Sequence, residues 1–394
     1  MRPLGEASEP PPPNLICRST LLRAFFLGTS WTWCIGMFLP VLLIRDMGLW
    51  GWIVFAVPNV MGAALMGWVL KSPESSQRLV ESHGPACRTF SVVTIAFHVF
   101  FILWFVPRLV GLPAASTTFA LAAIYLLLTF ARPAFDLILS PPVWLFSIIM
   151  FALFLRTPAA VIPSHSLLPG TDALFLAPAC ILGFSLCPYL DLTFHRTRQA
   201  LPNPAQSRFA FGVGFGVVFL LMIIFSALYA TALQPLLTPD WRTHLRPFFG
   251  KIIAAHMIVQ AAFTMALHAR SLATSRITPT GVFGLIVLCQ IAIFAAIYAA
   301  VAPRLFNLDF GEFVYRLFMS FYGLLFPAYV WIVVVPRTRT SAQPRTLALL
   351  TALTILIAAP MFWLGFIQNR MMWLLPAVAI VLLAPRFVPR RSHP

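Results

Sequence analysis

Long apolar stretches alternate with short polar or proline-containing segments along almost the whole chain. A helix needs about 20 apolar residues to cross the hydrocarbon core of a bilayer, and most of these stretches reach that length. They show no alternation of polar and apolar positions, so they predict helices and not the strands of a barrel. About twelve transmembrane helices are predicted, near residues 21–44, 49–70, 89–107, 115–131, 137–155, 172–190, 207–232, 248–270, 279–302, 311–335, 346–367 and 371–386.

Composition agrees with an all-α polytopic membrane protein whose main partner is the lipid bilayer. Of 394 residues, 60% are hydrophobic and 10% charged, and the mean hydropathy is +0.88. The net charge of +16 comes from single Lys and Arg residues between apolar stretches, so no nucleic-acid partner is predicted. With both termini in the cytoplasm, 18 of the 27 basic residues fall on the inner side, as expected for an even number of spans.

Residues 1–20 are polar and proline-rich, which predicts a disordered cytoplasmic tail. The first apolar stretch is too long for a signal peptide and lacks a small-residue cleavage pattern, so we expect a retained helix. Residues 71–88 are predicted to form the longest polar loop. The six cysteines show no metal or disulfide spacing, and neither a metal centre nor a cofactor is predicted.

The sixth stretch, "LGFSLCPYLDLTFHRTRQ" at residues 182–199, contains a proline near its end. Pro188 removes a backbone donor and Gly183 lies about one turn earlier, which predicts a kinked or unwound helix. Freed carbonyl groups of broken helices hold ions and substrates in transporters. Alternatively, the helix ends at Pro188, and Asp191 and His195 lie in water at the cytoplasmic surface.

The first two stretches carry polar and aromatic residues that could line a cavity. In "LGTSWTWCIGMFLP", Trp31 is predicted to lie in the interfacial aromatic belt, whereas Trp33 is deeper and is the better cavity candidate. In the second stretch, Asn59 follows Pro58 and is predicted to satisfy the carbonyls that the proline frees. In the tenth, Tyr322 either faces a cavity or is packed.

The eighth stretch places His256, Gln260, Thr264 and His268 at intervals of four residues. Each such step turns about 40° around a helix, so the four side chains form a slowly winding polar stripe. The stripe is expected to face the bundle interior or an aqueous path, or to make hydrogen bonds between helices. The two histidines are too far apart to share a metal ion, and His98 is predicted to be a packed core residue.

Three segments resemble helices two, six and ten of the nucleobase-cation symport family and of the related sodium-solute symporters. They are "MGLWGWIVFAVPNVMGAALMGWVL", "CPYLDLTFHRTRQ" and "FYGLLFPAYVWIVVV". The resemblance implies the leucine-transporter fold of the amino acid-polyamine-organocation superfamily. It implies inverted five-helix repeats at about 21–155 and 172–336, then two extra helices and a basic tail in 337–394. Inner-membrane residence follows from the resemblance and the short loops.

The sequence also departs from that pattern. Thr264 is the only hydroxyl residue inside the eighth stretch, where the family's sodium site usually has a pair. The tenth ends in Pro336 and Arg337, where the family often has Asp-Tyr. Coupling to sodium, coupling to protons and uncoupled transport therefore all stay open.

We predict a transporter of a small organic solute that works by alternating access, and not an enzyme. The substrate residues would be Trp33, Ser185, Tyr189, Gln260 and Tyr322; the weak ion site Cys34 and Thr264; the gating pair Asp191 and Arg196; and the polar wall His256 and His268. One alternative is a membrane-embedded enzyme that uses Asp191 and His195 as an acid-base pair. Another is a sensor or assembly protein that keeps the fold without transport. The sequence predicts no oligomeric state.

Overall fold

The computed structural model describes residues 17–129, 135–161, 166–302, 304–335 and 343–388. Most of the predicted tail, the junction of the fourth and fifth spans, the link after the tenth span and the basic C-terminus lie outside the described residues. Within the described ranges the chain is helical, with one isolated bridge between Leu305 and Leu308. The α-helices, in chain order, are α1 Arg18–Ser30, α2 Cys34–Val69, α3 Pro73–Val110, α4 Leu112–Thr129, α5 Phe135–Phe154, α6 Ala173–Leu186, α7 Leu192–Gln199, α8 Pro204–Val213, α9 Leu220–Leu233, α10 Gly250–Thr274, α11 Pro279–Tyr298, α12 Phe310–Ser320, α13 Phe326–Tyr329, α14 Pro344–Phe362 and α15 Leu374–Leu383.

Short stretches of wider or tighter helix join several of these elements. Wide π-helical turns connect α8 to α9 at Gly214–Phe219 and α12 to α13 at Phe321–Leu325. Others follow α13 at Val330–Val334 and α14 at Trp363–Ile367. Among the described residues, nine continuous helical segments are long and apolar enough to cross a membrane. This confirms an all-α polytopic membrane protein, while the count of twelve and the inverted repeat stay predictions.

Gly48 separates the first two predicted spans within α2. Its φ of +64° lies in the left-handed region, which a residue with a side chain rarely adopts. A β-carbon at nearby Gly51 would lie 2.3 Å from the carbonyl oxygen of Leu43, so the chain on the two sides of the kink approaches very closely. The predicted boundary between residues 44 and 49 coincides with this kink.

Residues 71–88 do not form the predicted polar loop, because α3 already begins at Pro73. The Ser72 hydroxyl accepts the N–H of Ser75 and the Ser75 hydroxyl accepts the N–H of Ser72, each at 3.3 Å. This reciprocal capping, with proline at the first helical position, starts a helix that hydropathy alone does not detect.

The helices α3 and α10 are the most enclosed spans, and α11 is the most exposed. α3 packs on α10 and α11, α2 on α6 and α9, and α1 on α5 and the turn Gly214–Phe219. The close approach of α2 to α6 depends on Gly62, where a β-carbon would lie 2.5 Å from the carbonyl oxygen of Phe184. Small residues allow such contacts between membrane helices.

Candidate functional site

The first span is broken at Trp31–Trp33. α1 ends at Ser30, Trp33 is extended with φ −88° and ψ 174°, and α2 begins at Cys34. The Trp33 indole donates to the carbonyl of Ser30 at 2.5 Å, and the Thr32 hydroxyl donates to that of Gly28 at 3.0 Å. Side chains near the break therefore satisfy part of the backbone that unwinding frees.

Both backbone polar groups of Cys34 have side-chain partners across the bundle. Its N–H donates to Nε2 of His98 at 3.1 Å, and its carbonyl accepts from the hydroxyl of Tyr315 at 3.0 Å. His98 Nδ1 lies 2.7 Å from the carbonyl of Thr94, so Nδ1 carries the proton and Nε2 accepts. His98 is buried as predicted, and it also caps the second half of the broken helix.

His98→Leu is expected to lower the free energy of unfolding by about 1–3 kcal/mol, because the Cys34 N–H loses its acceptor in a buried site. His98→Gln offers an amide oxygen at a similar reach and is expected to lose less than half as much. Unfolding of both purified variants in one detergent measures the difference. Equal losses in the two variants would contradict the capping role.

The sixth span is broken where Pro188 predicted it. α6 ends at Leu186, Cys187–Leu190 form a tight 3₁₀ turn, and Asp191 is extended with φ −82° and ψ 110°. One oxygen of Asp191 accepts from both the backbone and the hydroxyl of Thr193 at 2.7 Å, which caps α7. Its other oxygen, Oδ2, is buried without a hydrogen-bond partner in the described structure.

The alternative with Asp191 and His195 in water is wrong, because both side chains are buried. His195 Nδ1 lies 2.8 Å from the hydroxyl of Ser76, and Nε2 lies 2.9 Å from the carbonyl of Tyr189. Both ring nitrogens are therefore engaged, and neither contacts the carboxylate of Asp191. This arrangement gives no support to an acid-base pair of these two residues.

A narrow central cavity lies between the two breaks. Its volume is about 10 Å³, which is room for about one water molecule. The cavity is lined by Trp31, Trp33, Asn59, Phe184, Cys187 and Tyr322, among others. Trp33 and Tyr322 therefore line a cavity, which is the position predicted for Trp33 and one of the two alternatives given for Tyr322.

Trp31 and Asn59 are the lining residues that sequence reasoning placed elsewhere. The side chain of Trp31 is buried, so its assignment to the interfacial belt is wrong. Its indole N–H donates to Oδ1 of Asn59 at 2.7 Å, and its ring lies 4.3 Å from that of Trp33 between centroids. Asn59 thus joins the first break to the second span. The sequence shows the two neighbouring tryptophans, Trp31 and Trp33, but it gives no signal that Asn59 is the hydrogen-bond partner of Trp31.

The remaining predicted substrate residues do not line the central cavity. Ser185 and Tyr189 are half-buried. Gln260 donates to the hydroxyl of Ser147 on α5 at 2.8 Å. Their contact with a solute stays a prediction.

The polar stripe of α10 is fully buried and makes hydrogen bonds between helices. His256 and Gln260 both meet Ser147 of α5, and His268 Nδ1 lies 3.0 Å from the hydroxyl of Ser91 on α3. Polar atoms without partners remain along the stripe in the described structure: His256 Nε2, Gln260 Oε1, Thr264 Oγ1 and His268 Nε2. Within the part of the chain that the structure describes, Thr264 and Cys34 have no common hydrogen-bond partner, so the ion site predicted from them stays a prediction.

Two buried ion clusters lie at opposite ends of the bundle, which we name outer and inner after the predicted topology. At the inner end, Arg196 of α7 pairs with Asp136 of α5, and Arg270 of α10 lies 3.4 Å from the same carboxylate. The expected pairing of Asp191 with an arginine is corrected, because Arg196 meets Asp136 and Asp191 caps its own helix. A cavity of about 340 Å³ adjoins this inner cluster and is lined by α7 and α10.

Sequence reasoning missed the outer cluster, which joins the first span to α12. Arg45 forms two 2.7 Å bonds to Glu312, and Arg316 lies 2.6 Å from Asp46 and 2.9 Å from Glu312. Arg316 also donates to Asn369 at 2.9 Å. The only sequence signal was the i, i+4 spacing of Glu312 and Arg316.

Among the described residues, no three His, Cys, Asp or Glu side chains are grouped so that they could hold a metal ion. Neither the known protein families nor the curated proteins contain a significant match to this chain. Its function is therefore argued from the geometry.

Proposed function

We propose that this chain moves a small organic solute across the membrane by alternating access. The observation that carries the proposal is the pair of helix breaks, at Trp31–Trp33 and Cys187–Asp191, that share the central cavity. A continuous helix satisfies its own backbone hydrogen bonds. Breaking two spans inside a bundle is therefore costly unless the freed backbone groups take part in a binding site. Broken helices that meet at one cavity are typical of secondary transporters.

The cavity walls favour a neutral solute with a flat face. Aromatic rings surround the space, with Trp33 and Tyr322 packed edge to face at 5.6 Å between ring centroids. Asn59 supplies an amide, and none of the lining side chains is charged. Such walls can stack on a ring and offer it a few directed hydrogen bonds.

The two ion clusters support the alternating-access part of the proposal. The outer cluster ties the first span to α12, and the inner cluster ties α7 and α10 to α5. The central cavity is nearly filled while both clusters are formed, so a solute can enter only after helices move apart.

Uptake into proteoliposomes tests the proposal with a labelled panel of nucleobases, amino acids and organic acids, with and without sodium or proton gradients. We expect uptake of at least one panel member by the unmodified protein. Trp33→Leu should reduce it at least tenfold, because Trp33 lines the central cavity. Trp50→Leu is the matched control, since Trp50 is 61% exposed, and it should retain uptake.

Absence of uptake for every compound under every gradient would contradict the transporter and favour the sensor or assembly alternative. Equal uptake by both tryptophan variants would contradict the assignment of the central cavity. To test whether protons are the coupling ion, uptake under a proton gradient is measured again with the Asp191→Asn variant. Asp191 is chosen because its Oδ2 is buried without a hydrogen-bond partner at the second break in the described structure.

A further inference from the structure

A third cavity, larger than the two described above, lies at the outer end, and we name it the outer groove. Its volume is about 450 Å³, within the range of ligand pockets. Its walls come from the end of α3, the start of α4, the loop before α10 and the end of α11. They are mostly apolar, and Leu112, Leu245 and Ile297 on its rim are more than 40% exposed.

Basic residues gather at the mouth of this groove around Trp241. The guanidinium of Arg108 lies 4.0 Å from the Trp241 ring centroid, and that of Arg242 lies 4.6 Å from it. Arg108 is paired with Asp309 at 2.9 Å, and Arg242 donates to the carbonyl of Ala300 at 2.7 Å. These contacts hold two cations against one indole.

Arg246 is the third cation of the mouth, and it is exposed. Its backbone N–H donates to the carbonyl of Arg108 at 2.8 Å. Its guanidinium lies over Gly111, where a β-carbon would be 3.1 Å from Nη2. Gly111 has a φ of +90° and no side chain, so the guanidinium can rest on the backbone there. Within the described residues, no carboxylate lies within 4 Å of Arg246.

The nearest loop carboxylate is already engaged. Asp240 accepts from the hydroxyl of Thr238 at 2.7 Å and lies 3.5 Å from His244. The Thr238 hydrogen bond lowers the pKa of Asp240, so this group is an anion, and the ionisable side chain it meets is His244 and not an arginine. The carboxylates of Asp309 and Asp240 stand against the three arginines, so the formal charge of the mouth is +1.

The positions of these arginines disagree with the positive-inside rule, which predicts most basic residues on the cytoplasmic side. Of the nine basic residues that the predicted topology places outside, Arg108 and Arg246 line this groove and Arg242 lies against Trp241 at its edge. The rule disfavours cations there, and an arginine without a carboxylate partner gains little from the fold itself. A phosphate group is the anion that such a fork of guanidinium groups binds best.

We propose that the outer groove binds an anionic phospholipid, with its phosphate at Arg246 and Arg242 and an acyl chain along the apolar walls. The exposed apolar rim opens the groove to the bilayer, where chains are always present. A tryptophan beside the arginines suits the headgroup level of a membrane. A free phosphate ion would use the arginines but not the apolar walls.

Native mass spectrometry of the purified full chain, incubated with dioleoylphosphatidylglycerol or dioleoylphosphatidylcholine, tests the proposal. The unmodified protein is expected to retain phosphatidylglycerol in preference. Arg246→Gln should reduce retained phosphatidylglycerol about fivefold, as expected for loss of one membrane-surface cation. Arg156→Gln, an exposed arginine on another loop of the same end, should leave retention unchanged.

Two further arms separate a lipid from a phosphate ion. Ile293→Trp, which fills the groove wall, should reduce retention of both lipids without changing any of the mouth arginines. Inorganic phosphate at millimolar concentration should not displace phosphatidylglycerol. Equal retention by Arg246→Gln and Arg156→Gln would overturn the proposal, and so would displacement by inorganic phosphate.

Discussion

Arg316→Met is expected to lower the free energy of unfolding by about 3–5 kcal/mol, the usual cost of removing one partner from a buried ion pair. Arg316 is fully buried and contacts both Asp46 and Glu312. Without it, two buried carboxylates share the single charge of Arg45. The apparent melting temperature of the purified variant in one detergent measures the loss.

A charge-balanced double variant makes this prediction specific. Asp46→Asn combined with Arg316→Met removes one charge of each sign and leaves the Arg45–Glu312 pair intact. It should recover a large part of the lost stability. Arg156→Met makes the same replacement at an exposed site and should have little effect. If the double variant is less stable than Arg316→Met, uncompensated charge is not the cause of the loss.

Asp136→Asn is expected to raise the rate at which a water-soluble maleimide modifies Cys187 by about 10- to 100-fold. The substitution keeps the shape of the side chain but removes the carboxylate that Arg196 and Arg270 share. Breaking a fully buried pair costs about 3–5 kcal/mol, and the part exposure of Arg196 reduces that figure. We therefore expect the substitution to cost about 1.4–2.8 kcal/mol of the stability of the closed state, and each 1.4 kcal/mol shifts the ratio of open to closed protein tenfold.

The measurement is made on protein in nanodiscs, by mass spectrometry of the peptide that contains Cys187. Cys187 is 2% exposed and lines the central cavity, so its modification reports opening. Asp240→Asn, at a carboxylate that is 66% exposed, is the matched control and should leave the rate unchanged. A rate that does not change in Asp136→Asn would show that the inner cluster does not hold the cavity closed.

The sequence located most helices and the second break because these follow from local properties. Apolar length predicts a span, and Pro188 removes a backbone donor from the sixth span wherever that span packs. The start of α3 was missed because its first turns are polar and are held by the Ser72 cap, which hydropathy does not report. The first break was also less visible, since it has no proline at Trp31–Trp33.

The candidate site was less accessible to sequence reasoning than the helices. The sequence predicts a cavity position for Trp33 and leaves Tyr322 open between a cavity and a packed position. It predicts Trp31 at the interface, which is wrong because the depth of Trp31 depends on where α1 ends. The stripe on α10 was read from spacing alone, but its partners Ser147 and Ser91 lie 109 and 177 residues from His256 and His268. Spacing places side chains on one face and says nothing about what they meet.

By itself the sequence determined a helical membrane protein with a break near Pro188 and a polar stripe on one span, since hydropathy, proline geometry and helical periodicity act over a few residues. Only the tertiary structure decided which groups pair. Cys34 meets His98 across 64 residues, and Asp46 meets Arg316 across 270. A buried polar group must find a partner where water is absent, and helix packing selects that partner.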